Sequence, residues 1–237
     1  MRNLTFVQTQ RKYWLRQQHR YRRSPKHPVV EAYVLPKINY IFNQLRFDCL
    51  PSIIDVGAGN GFFSFWWGKV GDITAIDYSE VLIKNNPVKN KYVMDARSLD
   101  FPDDSFDLSF CSALLHHIDR DDRAIVIREM ARVSRKYVAI IEPNRNNPLM
   151  ALFGMLKREE RGSLSFSLRY CKRLLEEAGL HILNATSWGL LTPNRMPLAK
   201  MLLPLCSVFE RPLPLGMNNI VLAEKPKISC GDHTIIN

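Results

Sequence analysis

The spacing of apolar positions changes near Ser52. Before it, Val30, Val34, Ile38, Ile41 and Leu45 recur every three or four residues, which predicts a helix with one buried face. Pro36 falls inside that stretch, so a kink or two shorter helices are expected there. After it, short apolar runs take over, at 53–56, 73–76, 92–94, 106–111 and 137–141. Helix-like stretches separate most of them. The clearest follows Asp119, an expected cap, with Asp121 and Asp122 in its first turn and Val126, Met130 and Val133 on one face. A second runs from about Ser167 to Ala178 and stops at Gly179. Two further strands are expected at 181–188 and 218–223. Alternating strands and helices predict a doubly covered, mostly parallel sheet.

The remainder is less regular. Residues 191–215 carry Pro193, Pro197, Pro204, Pro212 and Pro214 among leucines, which predicts a broken helical insertion. The expected organisation is a basic helical extension over 1–45, a main domain over 46–225 and a polar tail over 226–237. Residues 145–165 and 191–215 would be insertions on the substrate side. The chain has 237 residues, 46% of them hydrophobic and 24% charged, as in an ordinary globular protein with a sizeable core.

Charge alters that ordinary picture. The net charge is +10, and eight of the basic residues stand in positions 1–28 with no acid among them: Arg2, Arg11, Lys12, Arg16, Arg20, Arg22, Arg23 and Lys26. Such an arm favours an anionic partner: nucleic acid, an acidic membrane surface or a phosphorylated substrate. Tyr13, Trp14 and Tyr21 are interleaved with it and suit either base stacking or anchoring to the core. The five cysteines, Cys49, Cys111, Cys171, Cys206 and Cys230, are scattered without a Cys-x-x-Cys pair. That argues against a disulfide framework and a zinc site, and no metal is expected. No apolar run is long enough for a signal peptide or a membrane span, so a cytoplasmic protein is expected, with a membrane-peripheral location left open. Oligomeric state is left open as well.

The chemistry concentrates where the first strand ends. Ile53, Ile54, Asp55 and Val56 run into Gly57, Ala58, Gly59, Asn60 and Gly61, and an apolar helix-like run follows. A strand, a glycine-rich turn and a helix N-terminus make a nucleotide-binding corner. Gly57 and Gly59 fit the dinucleotide fingerprint, but Phe62 stands at its third position and the glycine comes one residue early. The Gly-Lys-Ser/Thr ending of a phosphate loop is missing. Asp77 ends the second strand, where a carboxylate can accept both ribose hydroxyls.

With Asp95, Ala96 and Arg97 after the third strand, the run from Phe101 to Leu108, and Cys111 to Ile118 beyond it, this pattern resembles the class I S-adenosylmethionine-dependent methyltransferases of type 11. The resemblance covers residues 52–144 well and the rest more loosely. It implies a Rossmann-like α/β fold: a seven-stranded, mostly parallel sheet with helices on both faces and an antiparallel last strand, here with an N-terminal helical extension. It implies S-adenosylmethionine as cofactor and S-adenosylhomocysteine as product. The implied cofactor residues are Asp55, Gly57, Ala58, Gly59 and Gly61 in the first turn, Asp77 and Tyr78 after the second strand, Asp95 and Ala96 after the third, and Cys111 in the fourth.

Methyl transfer from a sulfonium is an in-line displacement that needs alignment and exclusion of water. A hydroxyl acceptor usually needs a general base as well. His116 and His117, at the lip of the fourth strand, are the candidates, with His117 favoured. The polar stretch from Glu142 to Asn147 is a candidate for substrate contact or a turn. The leading expectation is a methyltransferase acting on a small-molecule, lipid or glycan-type acceptor. Two others stay open: a methyltransferase acting on RNA or protein through the basic arm, and a non-catalytic S-adenosylmethionine-binding module.

Overall fold

The computed structural model describes residues 23–193 and 207–226, together with Gln10, Tyr13, Leu203 and Pro204. Most of the basic arm (Arg2, Arg11, Lys12, Arg16, Arg20 and Arg22), the aromatics Trp14 and Tyr21, residues 194–202 and 205–206 of the proline-rich insertion, and the tail beyond Pro226 lie outside the described residues.

Seven strands form one sheet: β1 (Ser52–Val56), β2 (Asp72–Asp77), β3 (Asn90–Val93), β4 (Phe106–Ser112), β5 (Ser134–Pro143), β6 (His181–Trp188) and β7 (Asn218–Glu224), in the order β3-β2-β1-β4-β5-β7-β6. The first five pair in parallel, and β7 runs antiparallel between β5 and β6. This is the expected Rossmann-like arrangement. Side chains alternate across the sheet, and both faces are covered, so the strands read as unbroken apolar runs. Ile54, Val138, Ile140 and Val221 enter one core with α4 (Arg123–Val133) and α6 (Leu168–Glu176). Ile53, Ala139, Ile141 and Leu222 enter the other with α1 (Pro28–Gln44) and α2 (Phe62–Trp67).

The split into two shorter helices at Pro36 and the cap at Asp119 both need correction. α1 is one continuous helix with Pro36 inside it. Val30, Val34, Ile38 and Ile41 are all fully buried on its inner face. At roughly 1.5–3 kcal/mol each, they exceed the roughly 3 kcal/mol that an interior proline costs. His27 Nδ1 accepts the Val29 N–H at 3.1 Å, and Pro28 occupies the first turn, where its missing N–H costs nothing. Asp119, in turn, does not cap α4, which starts at Arg123. Its carboxylate accepts the Asp121 N–H at 3.3 Å in a local turn instead.

Between β5 and α6 the chain makes an excursion through α5 (Pro148–Leu156) and a 3₁₀ segment (Arg158–Ser165). Asn147 caps α5 by accepting the Met150 N–H. The excursion closes on itself, because the Arg145 N–H donates to the Phe166 carbonyl at 3.0 Å. The remaining short helix, α3 (Glu80–Lys84), is capped by Ser79.

Candidate active site

The carboxyl ends of the parallel strands open into a cavity of about 940 Å³, within the range of small-molecule sites. One end is built by the turn after β1. Gly57 and Gly61 both have positive φ (74° and 85°), which β-carbon-bearing residues rarely adopt. A β-carbon on Gly57 would stand 2.7 Å from Leu114 Cδ1. One on Gly61 would stand 2.5 Å from Asn86 Oδ1. Gly57, Ala58 and Gly59 line the cavity, whereas Gly61 shapes the start of α2.

Asp55 lines the same end but is almost wholly buried. Burial lifts its carboxyl to about 7, against the Ser64 hydroxyl, which donates to it at 2.6 Å, and with help from the charge of Asp77. It ties β1 to α2. Asp77 uses both oxygens locally: Oδ2 accepts the Gly59 N–H and Oδ1 the Ser79 N–H, each at 2.8 Å. Asp77 also lines the cavity.

Tyr78, Asp95 and Ala96 complete this end. Arg97 grips Asp95 through both carboxylate oxygens and reaches Asp122 at 2.9 Å. That hydrogen bonding holds Asp95 below the usual carboxylate range. Cys111 is a correction. It is fully buried in the core, opposite Val56 in the β1–β4 register, and does not reach the cavity. The residues that do reach it begin one position later, at Ser112 and Ala113. Ala113 sits at a φ of 53°, a backbone outlier at the cavity wall.

The other end holds the histidine pair, on a short 3₁₀ turn (Leu115–His117). Glu142 at the end of β5 organises it. Its Oε1 accepts the Leu114 and Leu115 N–H groups at 3.0 and 2.7 Å, and its Oε2 lies 2.7 Å from His116 Nδ1. His116 Nε2 lies 3.5 Å from Glu160 Oε2. Burial pushes His116 down, but the charge and hydrogen bond of Glu142, then Glu160, outweigh it and lift it to about 9. The two carboxylates thus favour the charged imidazole, which disfavours a general-base role for His116. His117 is half-buried, with Nδ1 2.9 Å from Gln10 Oε1 and its ring stacked on Tyr13 at 5.8 Å.

Among the polar residues after Glu142, Asn144 and Asn147 hold backbone, and Arg145 and Asn146 are exposed. Asn144 donates to the Gly216 carbonyl and Asn147 to that of Leu215. The walls come from α1 and from the two segments expected on the substrate side, through residues that sequence reasoning did not single out. Tyr33 projects from α1, and Leu149, Met150 and Phe153 from α5. Leu191 is backed by a buried ion pair, Lys37 Nζ to Glu210 Oε2 at 2.6 Å, in which Glu210 Oε1 also accepts the Leu190 and Leu191 N–H groups. Glu160 stands in a run of charged residues that reads as a solvated face, and only the fold brings it to His116.

Residues 54–141 match the family model described as "Methyltransferase domain". The chain is 32% identical over 122 residues to a phosphatidylethanolamine N-methyltransferase of Cereibacter sphaeroides, covering 46% of this chain and 59% of that relative. It is 33% identical over 107 residues to a malonyl-[acyl-carrier protein] O-methyltransferase of Buchnera aphidicola, covering 43% of this chain and 40% of that relative. The chain thus spans about half the length of the curated relatives it matches. Among solved structures, its fold is similar to that of a SAM-dependent methyltransferase of Archaeoglobus fulgidus, with a TM-score of 0.63 at 16% identity over 90% of this chain and 99% of that one. A SAM-dependent methyltransferase of Thermotoga maritima gives a TM-score of 0.63 at 15% identity over 94% and 99%.

Proposed function

Because residues 54–141 match a methyltransferase domain and the fold is similar to that of SAM-dependent methyltransferases, we propose that the chain is a class I S-adenosylmethionine-dependent methyltransferase that transfers a methyl group to a small-molecule or lipid-type acceptor bound between the histidine turn and α5. The cavity chemistry fits the cofactor. Bare glycine backbone lines one side with the Asp77 carboxylate, a group suited to paired ribose hydroxyls, and Asp95 and Ala96 line the cavity beside them. Bound there, S-adenosylmethionine supplies a methyl group already activated on a sulfonium. The chain's own task is alignment and exclusion of water.

The observation that carries the acceptor reading is the lining opposite the glycine turn. Leu149, Met150 and Phe153 give it an apolar wall beside the polar His117 and Glu160. On its outer side α5 leaves Leu152, Met155 and Leu156 half or more exposed, followed by exposed Lys157 and Arg158. That composition suits an acceptor with an apolar part and a polar reactive end, and a lipid-modifying relative is in keeping with it. No helix among the described residues is long and apolar enough to cross a membrane. The basic arm, by charge, suits an anionic partner, and a salt titration of binding to vesicles and RNA would identify it.

The test is transfer of labelled methyl from the donor in a cell extract, followed by fractionation. Label in the organic-soluble or small-molecule fraction is expected, and label confined to RNA or protein overturns the proposal. His117→Ala is expected to lower turnover at least about tenfold while affinity for S-adenosylhomocysteine stays unchanged.

A further inference from the structure

We propose that His116, His117 and Glu160 bind a divalent first-row transition-metal ion at the acceptor end of the cavity. This rests on reading the cavity as a methyl-transfer site. It goes further by giving that site an ion the sequence did not lead one to expect.

Two histidines and one carboxylate offer ligand atoms within 4.8 Å of one another. A tighter separation, near 3.5 Å, is already reached between His116 Nε2 and Glu160 Oε2. The supporting groups around them are those of a metal site. A ligating imidazole is usually fixed by a hydrogen bond from its other nitrogen to a carboxylate or carbonyl oxygen. Both rings have one. His116 Nδ1 faces Glu142 Oε2 at 2.7 Å. His117 Nδ1 faces Gln10 Oε1 at 2.9 Å, and Gln10 is oriented because its amide nitrogen donates to the Glu159 carbonyl at 2.7 Å. With Nδ1–H donating in each case, Nε2 is the coordinating atom of both rings.

The third group is held by backbone packing. The 3₁₀ segment carrying Glu160 lies against the histidine turn so closely that a β-carbon on Gly162 would stand 1.9 Å from the His116 carbonyl oxygen. All three groups line the cavity. Three protein ligands on one wall leave the remaining positions open toward that space, which is the pattern of a reactive rather than a structural site. Mixed nitrogen and oxygen donors favour zinc, manganese, iron or cobalt over magnesium or calcium. The ion takes the place of the proton shared between His116 Nε2 and Glu160, and that proton leaves to solvent. Coordinated there, an acceptor hydroxyl or amine loses its proton more easily.

The test uses the full chain stripped with chelator and titrated with Co²⁺, read by its visible absorption bands and by metal analysis after dialysis. One ion per chain is expected. His117→Ala and Glu160→Gln should each weaken it at least about 100-fold, with circular dichroism confirming the fold. Affinity for S-adenosylhomocysteine is measured in parallel. Its persistence without a Co²⁺ signal sinks the metal proposal and leaves the methyltransferase reading standing. Co²⁺ binding without S-adenosylhomocysteine binding does the reverse. Retention of the ion by a variant carrying both His117→Ala and Glu160→Gln also overturns the proposal, even if the wild type binds one.

Discussion

Replacing Asp77 with alanine removes a carboxylate with two duties. Toward the cofactor, in the proposed reading, it would offer a pair of charge-assisted hydrogen bonds to the ribose hydroxyls, each worth about 1.5–3 kcal/mol. Losing both weakens binding by about 3–6 kcal/mol, or roughly a hundredfold to ten-thousandfold in Kd. Toward the protein, its two oxygens accept the Gly59 and Ser79 N–H groups. Both lie at a partly wet cavity edge, so their loss costs about 1 kcal/mol each, or a Tm lower by about 4–8 °C. Asp77→Asn separates the duties poorly by design. Its amide keeps one acceptor but turns an NH₂ group toward an N–H donor, so it should bind almost as weakly as the alanine variant. Calorimetry with S-adenosylhomocysteine, beside thermal unfolding of the free protein, measures both. A folded Asp77→Ala variant with wild-type Kd would refute the assignment of the glycine turn and β2 end as the cofactor cradle.

Two other substitutions probe the walls. Gly57→Ala meets both the positive φ and Leu114, so it should destabilise by about 1–3 kcal/mol and weaken S-adenosylhomocysteine at least tenfold, by calorimetry and urea unfolding. Lys37→Met leaves Glu210 buried without its cation and should cost about 3–5 kcal/mol, part of which Glu210→Gln restores in the double variant. The same lysine sets a pH dependence. Burial, only partly offset by Glu210, lowers it to about 8. The unfolded chain then binds more protons between about pH 8 and 10.5, and stability from this site rises with pH across that window. Lys37→Met should show a flatter slope in urea unfolding at pH 8 and 10, and an equal slope refutes the shift.

The sheet was legible in the sequence because strands buried on both faces announce themselves as apolar runs. The glycine turn and Asp77 were legible because backbone conformation and ligand chemistry leave few residue choices there. Other features were not. Pro36 has a local penalty that four buried side chains outweigh, and no local rule weighs the two. Cys111 stands on a strand whose end looks like the lip, but the register with Val56 keeps it inside the sheet. Glu142 looked like a substrate contact and instead holds the turn that carries the histidines. Glu160, 44 positions beyond His116, meets it only because a glycine lets two backbones nearly touch.

The hydrogen bond between Arg145 and Phe166 has a consequence for how such a fold diversifies. Residues 145–165 leave and rejoin the fold at almost one point, so the entropy of closing that lobe depends only weakly on its length. Grafting a longer or shorter lobe from another scaffold there disturbs no strand of the parallel sheet. The graft nonetheless replaces the apolar wall and Glu160 together, while the glycine turn and Asp77 stay behind. Recombination at this one joint would hand an unchanged donor half a new acceptor half in a single event.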